Sequence, residues 1–215
     1  MDNKNIKNKI IEAFYWRAAV KVYQKDKPVD TEVLDTIIES GRMSASAYGL
    51  QPYALVAVQD VELRSQILTV SYGQTQVLES PHLYVLAART DIDEKFVKDY
   101  IKLTAEVRGM KVEDLKSYED MMIEDICNRE ENSKSAWAGR QAYIALGSML
   151  ETAALLGVDA GPMEGFDNAR VDEILDLKSN RLTSFALLCI GYRGDDKYSQ
   201  MKKVRIPKSQ FVIIK

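Results

Sequence analysis

The chain has 215 residues, of which 46% are hydrophobic and 28% are charged, a composition that suits one globular domain over residues 1–215. Its net charge of −3 argues against nucleic acid as a partner, and no apolar run reaches membrane-spanning length. The two cysteines form no CxxC pair and the N-terminus carries no signal-peptide core, so we expect a cytoplasmic protein with reduced thiols.

The first half of the chain predicts helices alternating with two buried strands. Apolar spacing over residues 6–16 indicates a helix, and Asp30 is placed as the N-cap of a second helix. Short β-branched and aromatic runs at 53–58 and 83–88 predict strands, with a helix at 61–70 between them.

The second half predicts more helix and the remaining strands. Residues 93–129 indicate two charged helices over the main body, and residues 136–156 are apolar on nearly every side, which favours all-round burial and a subunit interface. The run G-P-M-E-G-F-D at 161–167 predicts a compact loop with unpaired backbone amides. Residues 183–192 predict a third strand, and residues 211–214 a fourth, which needs an edge that a second subunit would supply. The class is α+β around one sheet.

The sequence lacks the residues that most familiar catalytic mechanisms need. The single histidine, His82, has no G-x-S-x-G partner motif and is predicted to be a strand-start histidine bonded to backbone. No H-E-x-x-H or cysteine cluster could bind a metal, and no P-loop or G-x-G-x-x-G turn is present. A cofactor must supply the chemistry, or the protein is not a catalyst.

Four separated segments suit one flat, anionic ligand. Arg17 and Lys21 follow the first helix, and a run of small hydroxyl-bearing residues at 44–53 precedes a strand. The 161–167 loop offers amides, and alternation places Lys203 and Arg205 on one side of an extended chain, a pair suited to a phosphomonoester. Each segment taken singly is more typical of a structural role.

In their order along the chain, these segments resemble the FMN-dependent nitroreductase family over about residues 10–211. The specific motifs are S-A-S-A-Y-G-L-Q-P-Y at 44–53 and P-M-E-G-F-D at 162–167. The resemblance implies a nitroreductase-like fold, with a mostly antiparallel sheet flanked by helices. It also implies a homodimer that exchanges C-terminal strands and holds two FMN sites at its interface.

The resemblance assigns cofactor-binding residues in three groups. The phosphate group of FMN is assigned to Arg17, Ala18, Ala19, Lys203 and Arg205. The flavin ring is assigned to Lys21 at its N1/O2 edge, to a Glu164–Gly165 backbone amide at N5, and to Gln74, Gln76, Pro162 and Met163 nearby. The FMN of the other subunit is assigned to Ala45, Ser46 and Ala47.

The implied activity is hydride relay from NADH or NADPH through FMN to a small electron-poor acceptor, such as a nitroaromatic or a quinone, by a ping-pong mechanism without catalytic side chains. Tyr48 replaces a small polar residue and is placed at the substrate. Ala18, Ala19 and Ala47 replace residues that usually include hydroxyls, which predicts weaker FMN binding. Two alternatives stay open: a family offshoot with a specialised substrate, such as flavin cleavage, dehalogenation or dehydrogenation of a cyclised peptide, and a flavin-binding protein without turnover.

Overall fold

A single antiparallel sheet organises the computed structural model, which describes residues 3–215; the first two residues of the predicted domain lie outside it. The strands are β1 (Tyr53–Ala57), β2 (His82–Arg89), β3 (Asp159–Met163) and β4 (Leu182–Gly191), in the order β1-β2-β4-β3. The predicted α+β class with an antiparallel sheet is confirmed. β2 and β4 are buried almost throughout because each has strands on both sides and helices over both faces.

The described range contains nine helices. They are α1 (Asn3–Trp16), α2 (Thr31–Arg42), α3 (Val61–Thr69), α4 (Gln76–Glu79), α5 (Glu94–Arg108), α6 (Lys116–Met122), α7 (Glu131–Leu155), α8 (Asn168–Ile174) and α9 (Lys208–Phe211). The predicted cap of α2 is confirmed, since the Asp30 carboxylate accepts a hydrogen bond from the Glu32 amide. None of the helices in residues 3–215 is long and apolar enough to cross a membrane.

The predicted pair of helices at 93–129 is confirmed as α5 and α6, and a π-helical turn at Ile123–Cys127 follows α6. Their apolar side chains, including Ile101, Met122 and Ile126, form a separate cluster with Leu50 and with Trp137 of α7. Residues 94–127, here called the excursion, therefore cover the segment before β1 rather than the whole sheet.

Two predictions about the second half were wrong. Gly161, Pro162 and Met163 are not in a loop; they form β3 against β4, and the turn begins only at Glu164. Pro162 is tolerated because β3 is an edge strand. Helix α7 is not buried all round in the single chain, since Tyr143, Ile144 and Gly147 are exposed.

The C-terminal tail and His82 also differ from expectation. Residues 211–214 form no strand in this chain, since α9 ends at Phe211 and the tail beyond it is exposed. Pairing of the tail with a second subunit stays a prediction. His82 does begin β2, but its buried Nε2 atom has no hydrogen-bond partner among the described residues, so it is not the backbone-bonded histidine predicted.

Candidate functional site

Three cations from opposite ends of the chain meet beside the end of α1. Arg17, Lys203 and Arg205 together line two adjoining cavities of about 660 and 460 Å³, and Ala18 and Ala19 line the larger one. The buried Nε atom of Arg17 has no hydrogen-bond partner in the described part of the chain. An unsatisfied buried guanidinium nitrogen is costly, so this geometry suits a ligand that supplies an acceptor.

The cluster carries uncompensated positive charge. Within residues 3–215, no carboxylate forms an ion pair with Arg17, Lys203 or Arg205. Burial, and secondly the charge of Arg205, lowers the pKa of Arg17; burial and then the charges of Arg17, Arg205 and Arg193 lower the pKa of Lys203. Both shifts have the sign expected when cations are held together without an anion between them.

Backbone bonds hold the two ends of the chain together. Lys203 Nζ donates to the carbonyl oxygens of Phe14, at 2.5 Å, and Arg17, at 2.6 Å, both at the C-terminal end of α1. Two of its three N–H groups are thus used, so Lys203 has one left for a ligand. Among the described residues, Arg205 donates only to the carbonyl oxygen of its neighbour Val204 and keeps most of its donors.

Two buried carboxylates fix the chain on either side of Arg17. Asp159 accepts a bidentate pair from Arg193, whose guanidinium also lies 4.1 Å from the centre of the Trp16 ring. Asp196 accepts the Lys21 amide N–H at 2.7 Å. Sequence reasoning missed Arg193, Asp159 and Asp196, because an acidic residue at a strand start and charged residues after a strand end are not specific signals.

A second cluster joins Lys21 to the turn after β3. Lys21 Nζ donates to Gln74 Oε1 at 3.3 Å, and Gln76 Nε2 donates to the same oxygen at 3.2 Å. Gln74 Nε2 donates to the Gly165 carbonyl at 2.8 Å. A Cβ atom at Gly165 would lie 2.8 Å from that nitrogen, so a larger residue there would displace the Gln74 amide from its present position.

The Glu164–Gly165 turn has one backbone amide without a partner among the described residues. Within residues 3–215 the Gly165 amide makes no hydrogen bond, whereas the next two amides, of Phe166 and Asp167, do. The Glu164 side chain faces Tyr143 of α7; burial, and then a hydrogen bond with Glu164, raises the pKa of that tyrosine. Met163 is buried in the core and Pro162 is half-buried in β3, so neither side chain projects from the turn.

The third predicted group lies apart from these clusters. Ser46 Oγ accepts the Gln51 amide, and the Ala47 amide donates to Gln141 Oε1 of α7 at 2.8 Å. No hydrogen bond within residues 3–215 joins Ala45, Ser46 or Ala47 to the cations or to the Gly165 turn. Tyr48 points toward the excursion, where its hydroxyl donates to Asp125.

Comparison with known proteins identifies the family of this chain. The model of the Nitroreductase family matches residues 15–192, which include the sheet, Arg17 and the cluster around Lys21 but end before Lys203 and Arg205. The chain belongs to the nitroreductase family. The predicted family is therefore confirmed.

Individual relatives agree with the family match. A Bacillus subtilis protein named "Putative NAD(P)H nitroreductase YfkO" is 33% identical over 203 residues, covering 89% of this chain and 92% of its own. The crystal structure of a nitroreductase family protein from Streptococcus pneumoniae has a TM-score of 0.80 at 22% identity, covering 95% of this chain and 99% of its own. A third protein, from Exiguobacterium sibiricum, was solved in complex with FMN; its TM-score is 0.78 at 18% identity, covering 96% of this chain and 97% of its own.

Proposed function

We infer that this protein is an FMN-dependent NAD(P)H oxidoreductase that acts on a small electron-poor acceptor, a nitroaromatic or a quinone. The observation that carries the proposal is the unpaired cation cluster of Arg17, Lys203 and Arg205, with the orphaned Arg17 Nε at its centre. The family's named NAD(P)H nitroreductases and the FMN complex of the Exiguobacterium protein support it.

The residues fit FMN at both ends. Arg17 and Arg205, with the remaining N–H of Lys203, would hold the phosphate through charge-assisted hydrogen bonds. Alanines at positions 18 and 19 offer no hydroxyl there, so the phosphate would depend on those cations. At the ring end, the free Gly165 amide would donate to N5, and Gln74, held by the buried Gln76, would lie at the ring edge.

The chemistry of the bound group would be the acceptance of a hydride from NADH or NADPH and its delivery to the acceptor in the same pocket, which gives ping-pong kinetics. The Lys21 ammonium would stabilise negative charge that develops at the N1/O2 edge. Gln74 keeps that ammonium oriented by accepting its hydrogen bond. No side chain of this protein has to act as an acid or a base.

We place a second copy of the chain at the third predicted group. In a homodimer, Ala45, Ser46 and Ala47 would contact the FMN of the partner, which agrees with the absence, within residues 3–215, of any hydrogen bond from them to this chain's own cations. The edge of β1 carries no strand within residues 3–215, and a cavity of about 340 Å³ lies between β1, α2 and α7. The exposed apolar tail beyond α9 would fill that edge of the partner. Both cysteines are free thiols, which suits the cytoplasm.

An anaerobic titration tests the proposal. Purified protein incubated with FMN and freed of excess should be yellow, lose its colour when NADH or NADPH is added, and regain it when p-benzoquinone follows. A protein that retains FMN but is not bleached by either nicotinamide would instead be a flavin-binding protein without turnover. A protein that retains no FMN would contradict the proposal.

A further inference from the structure

The loop formed by residues 44–51, here the Ser46 loop, has an unusual backbone. Tyr48 has φ 58° and ψ 1°, and Gln51 has φ 45°, so two residues with large side chains occupy the left-handed region. Side chains other than glycine, asparagine and aspartate are rare there because Cβ crowds the following carbonyl. Such a conformation persists only where the surrounding structure holds it.

Two phenols hold this backbone from different helices. The Tyr100 hydroxyl of α5 donates to the Tyr48 carbonyl oxygen at 2.9 Å, and the Tyr118 hydroxyl of α6 donates to the same oxygen at 3.0 Å. A carbonyl oxygen has two lone pairs, so both are used. A Cβ atom at position 49 would lie 2.6 Å from the Tyr100 hydroxyl, so Gly49 is what lets that phenol approach.

The loop is attached at two further points. The Tyr48 hydroxyl donates to Asp125 Oδ2 at 2.8 Å, in the π-helical turn, and Arg129 binds both oxygens of that carboxylate. The Ala47 amide donates to Gln141, whose own amide nitrogen donates to the Trp137 carbonyl. The excursion and α7 therefore meet the Ser46 loop at its backbone as well as at a side chain.

We propose that Tyr100 and Tyr118 are positioning residues, which keep Tyr48 left-handed and so aim Ser46 at the flavin of the partner subunit. The excursion of α5 and α6 thereby sets the geometry of a site to which it need contribute no ligand. The target of this positioning, the partner's flavin, rests on the proposed function. The clamp, meaning the two tyrosine hydroxyls bonded to the Tyr48 carbonyl, rests on contacts within this chain alone.

Hydrogen exchange measures the clamp without any cofactor. The amides of Ala47, Gly49 and Gln51 all donate within or from the loop and report its opening. In Tyr100→Phe or Tyr118→Phe one phenol remains, and we expect these amides to exchange less than about threefold faster. In the double variant we expect at least about a tenfold increase, more than the product of the single effects, because the two donors share one acceptor.

The matched control is Thr104→Val. Thr104 is buried on the same helix, and its hydroxyl donates to the Tyr100 carbonyl rather than to the loop. This variant loses a hydroxyl of similar burial, and exchange in the Ser46 loop should stay within about twofold of wild type. A comparable increase in the control would mean that the tyrosines act through general stability, and it would overturn the proposal.

A second background keeps the test decisive if the double variant folds poorly. Asparagine tolerates the left-handed region, so Tyr48→Asn should remove most of the need for the clamp. Adding either Phe substitution to Tyr48→Asn should then change loop exchange by less than about 1.5-fold, whereas in a Tyr48→Phe background the effect of each should persist. Equal effects in both backgrounds would contradict the role assigned to backbone strain.

The link to the flavin has its own readout. Wild type, the double variant and Thr104→Val are titrated with FMN by fluorescence quenching, and only the double variant should bind about tenfold more weakly. Failure of wild type to bind FMN would reject the proposed function and leave the exchange result standing. Normal FMN affinity in a double variant whose loop exchanges faster would reject the positioning role alone.

Discussion

Arg17 is the residue at which stability and binding oppose each other most clearly. Its guanidinium is half-buried beside Arg205 and has an unsatisfied Nε, so without a ligand it lowers the stability of the fold. Arg17→Met keeps the aliphatic stem and removes the charge. We expect FMN affinity to fall by about 1.5–3 kcal/mol, while the midpoint of urea unfolding of the FMN-free protein holds or rises.

The control for that prediction is Arg170→Met, which removes an arginine from an exposed pair with Glu173. It should change neither FMN affinity nor the unfolding midpoint by much. A loss of apo stability in Arg17→Met, without a loss of FMN affinity, would identify Arg17 as an ordinary structural arginine.

The lowered pKa of Lys203 predicts that the protein takes up protons when FMN binds. Burial and nearby cations lower its pKa below the ordinary 10.5. Between the lowered pKa and 10.5 the unfolded chain binds more protons than the folded one, so this group adds stability to the FMN-free protein as pH rises through that window. A bound phosphate favours the charged ammonium and moves the pKa back up.

Calorimetric titration with FMN in buffers of different ionisation enthalpy measures that uptake. At about pH 9.5 we expect wild type to take up a fraction of a proton more than Lys203→Met does, and the difference should shrink towards neutral pH. Equal proton uptake in the two proteins across this range would remove Lys203 from contact with the phosphate.

Among the secondary-structure elements, the pair of Asp159 and Arg193 joins β3 to the segment after β4 and to the end of α1. Asp159 is only 2% exposed and Arg193 also donates to the Trp16 carbonyl. Arg193→Met leaves a buried carboxylate without its cation, for which we expect about 3 kcal/mol of destabilisation in urea unfolding. Arg181→Met is the control, because its partner Asp91 keeps Arg89, and it should cost less than about 1 kcal/mol. Similar losses of unfolding free energy in both variants would show that the buried pair stabilises the fold no more than the exposed one.

The elements also show what could be predicted from the sequence. Periodicity and capping residues placed α2, α3, β1, β2 and β4 correctly because each signal is local. β3 was missed because Gly161 and Pro162 are typical turn residues, and only the sheet order makes β3 an edge strand that tolerates a proline. His82 shows the same limit, since satisfaction of a ring nitrogen depends on neighbours distant in sequence.

The candidate site, like the fold, could be predicted only in part from the sequence. The types of its basic residues and the order of the motifs indicated the family, and the fold brought Arg17, Lys203 and Arg205 together as expected. The supporting residues Asp159 and Asp196 could not be predicted, because they act through hydrogen bonds to Arg193 and to the Lys21 amide, which are far along the chain. The tyrosine pair on the Tyr48 carbonyl has no sequence pattern at all.

At the scale of the whole molecule, the single chain leaves apolar surface that a second copy would cover. The tail beyond α9 is the clearest case, since Ile213 and Ile214 are 78% and 91% exposed. The exposed residues of α7 and the open edge of β1 add to it. Large apolar side chains concentrated in this way are typical of an interface between subunits.

Ile213→Asp combined with Ile214→Asp tests that assembly, because two carboxylates cannot be buried unpaired beside β1 of a partner. We expect sedimentation velocity to show monomers where wild type is dimeric, and FMN affinity to fall with the dimer, since Ser46 would no longer reach the partner's flavin. Val107→Asp, which places a carboxylate on an equally exposed residue of α5, should leave both unchanged. A monomeric variant with wild-type FMN affinity would show that each chain builds its cofactor site alone, and it would remove the Ser46 loop from that site.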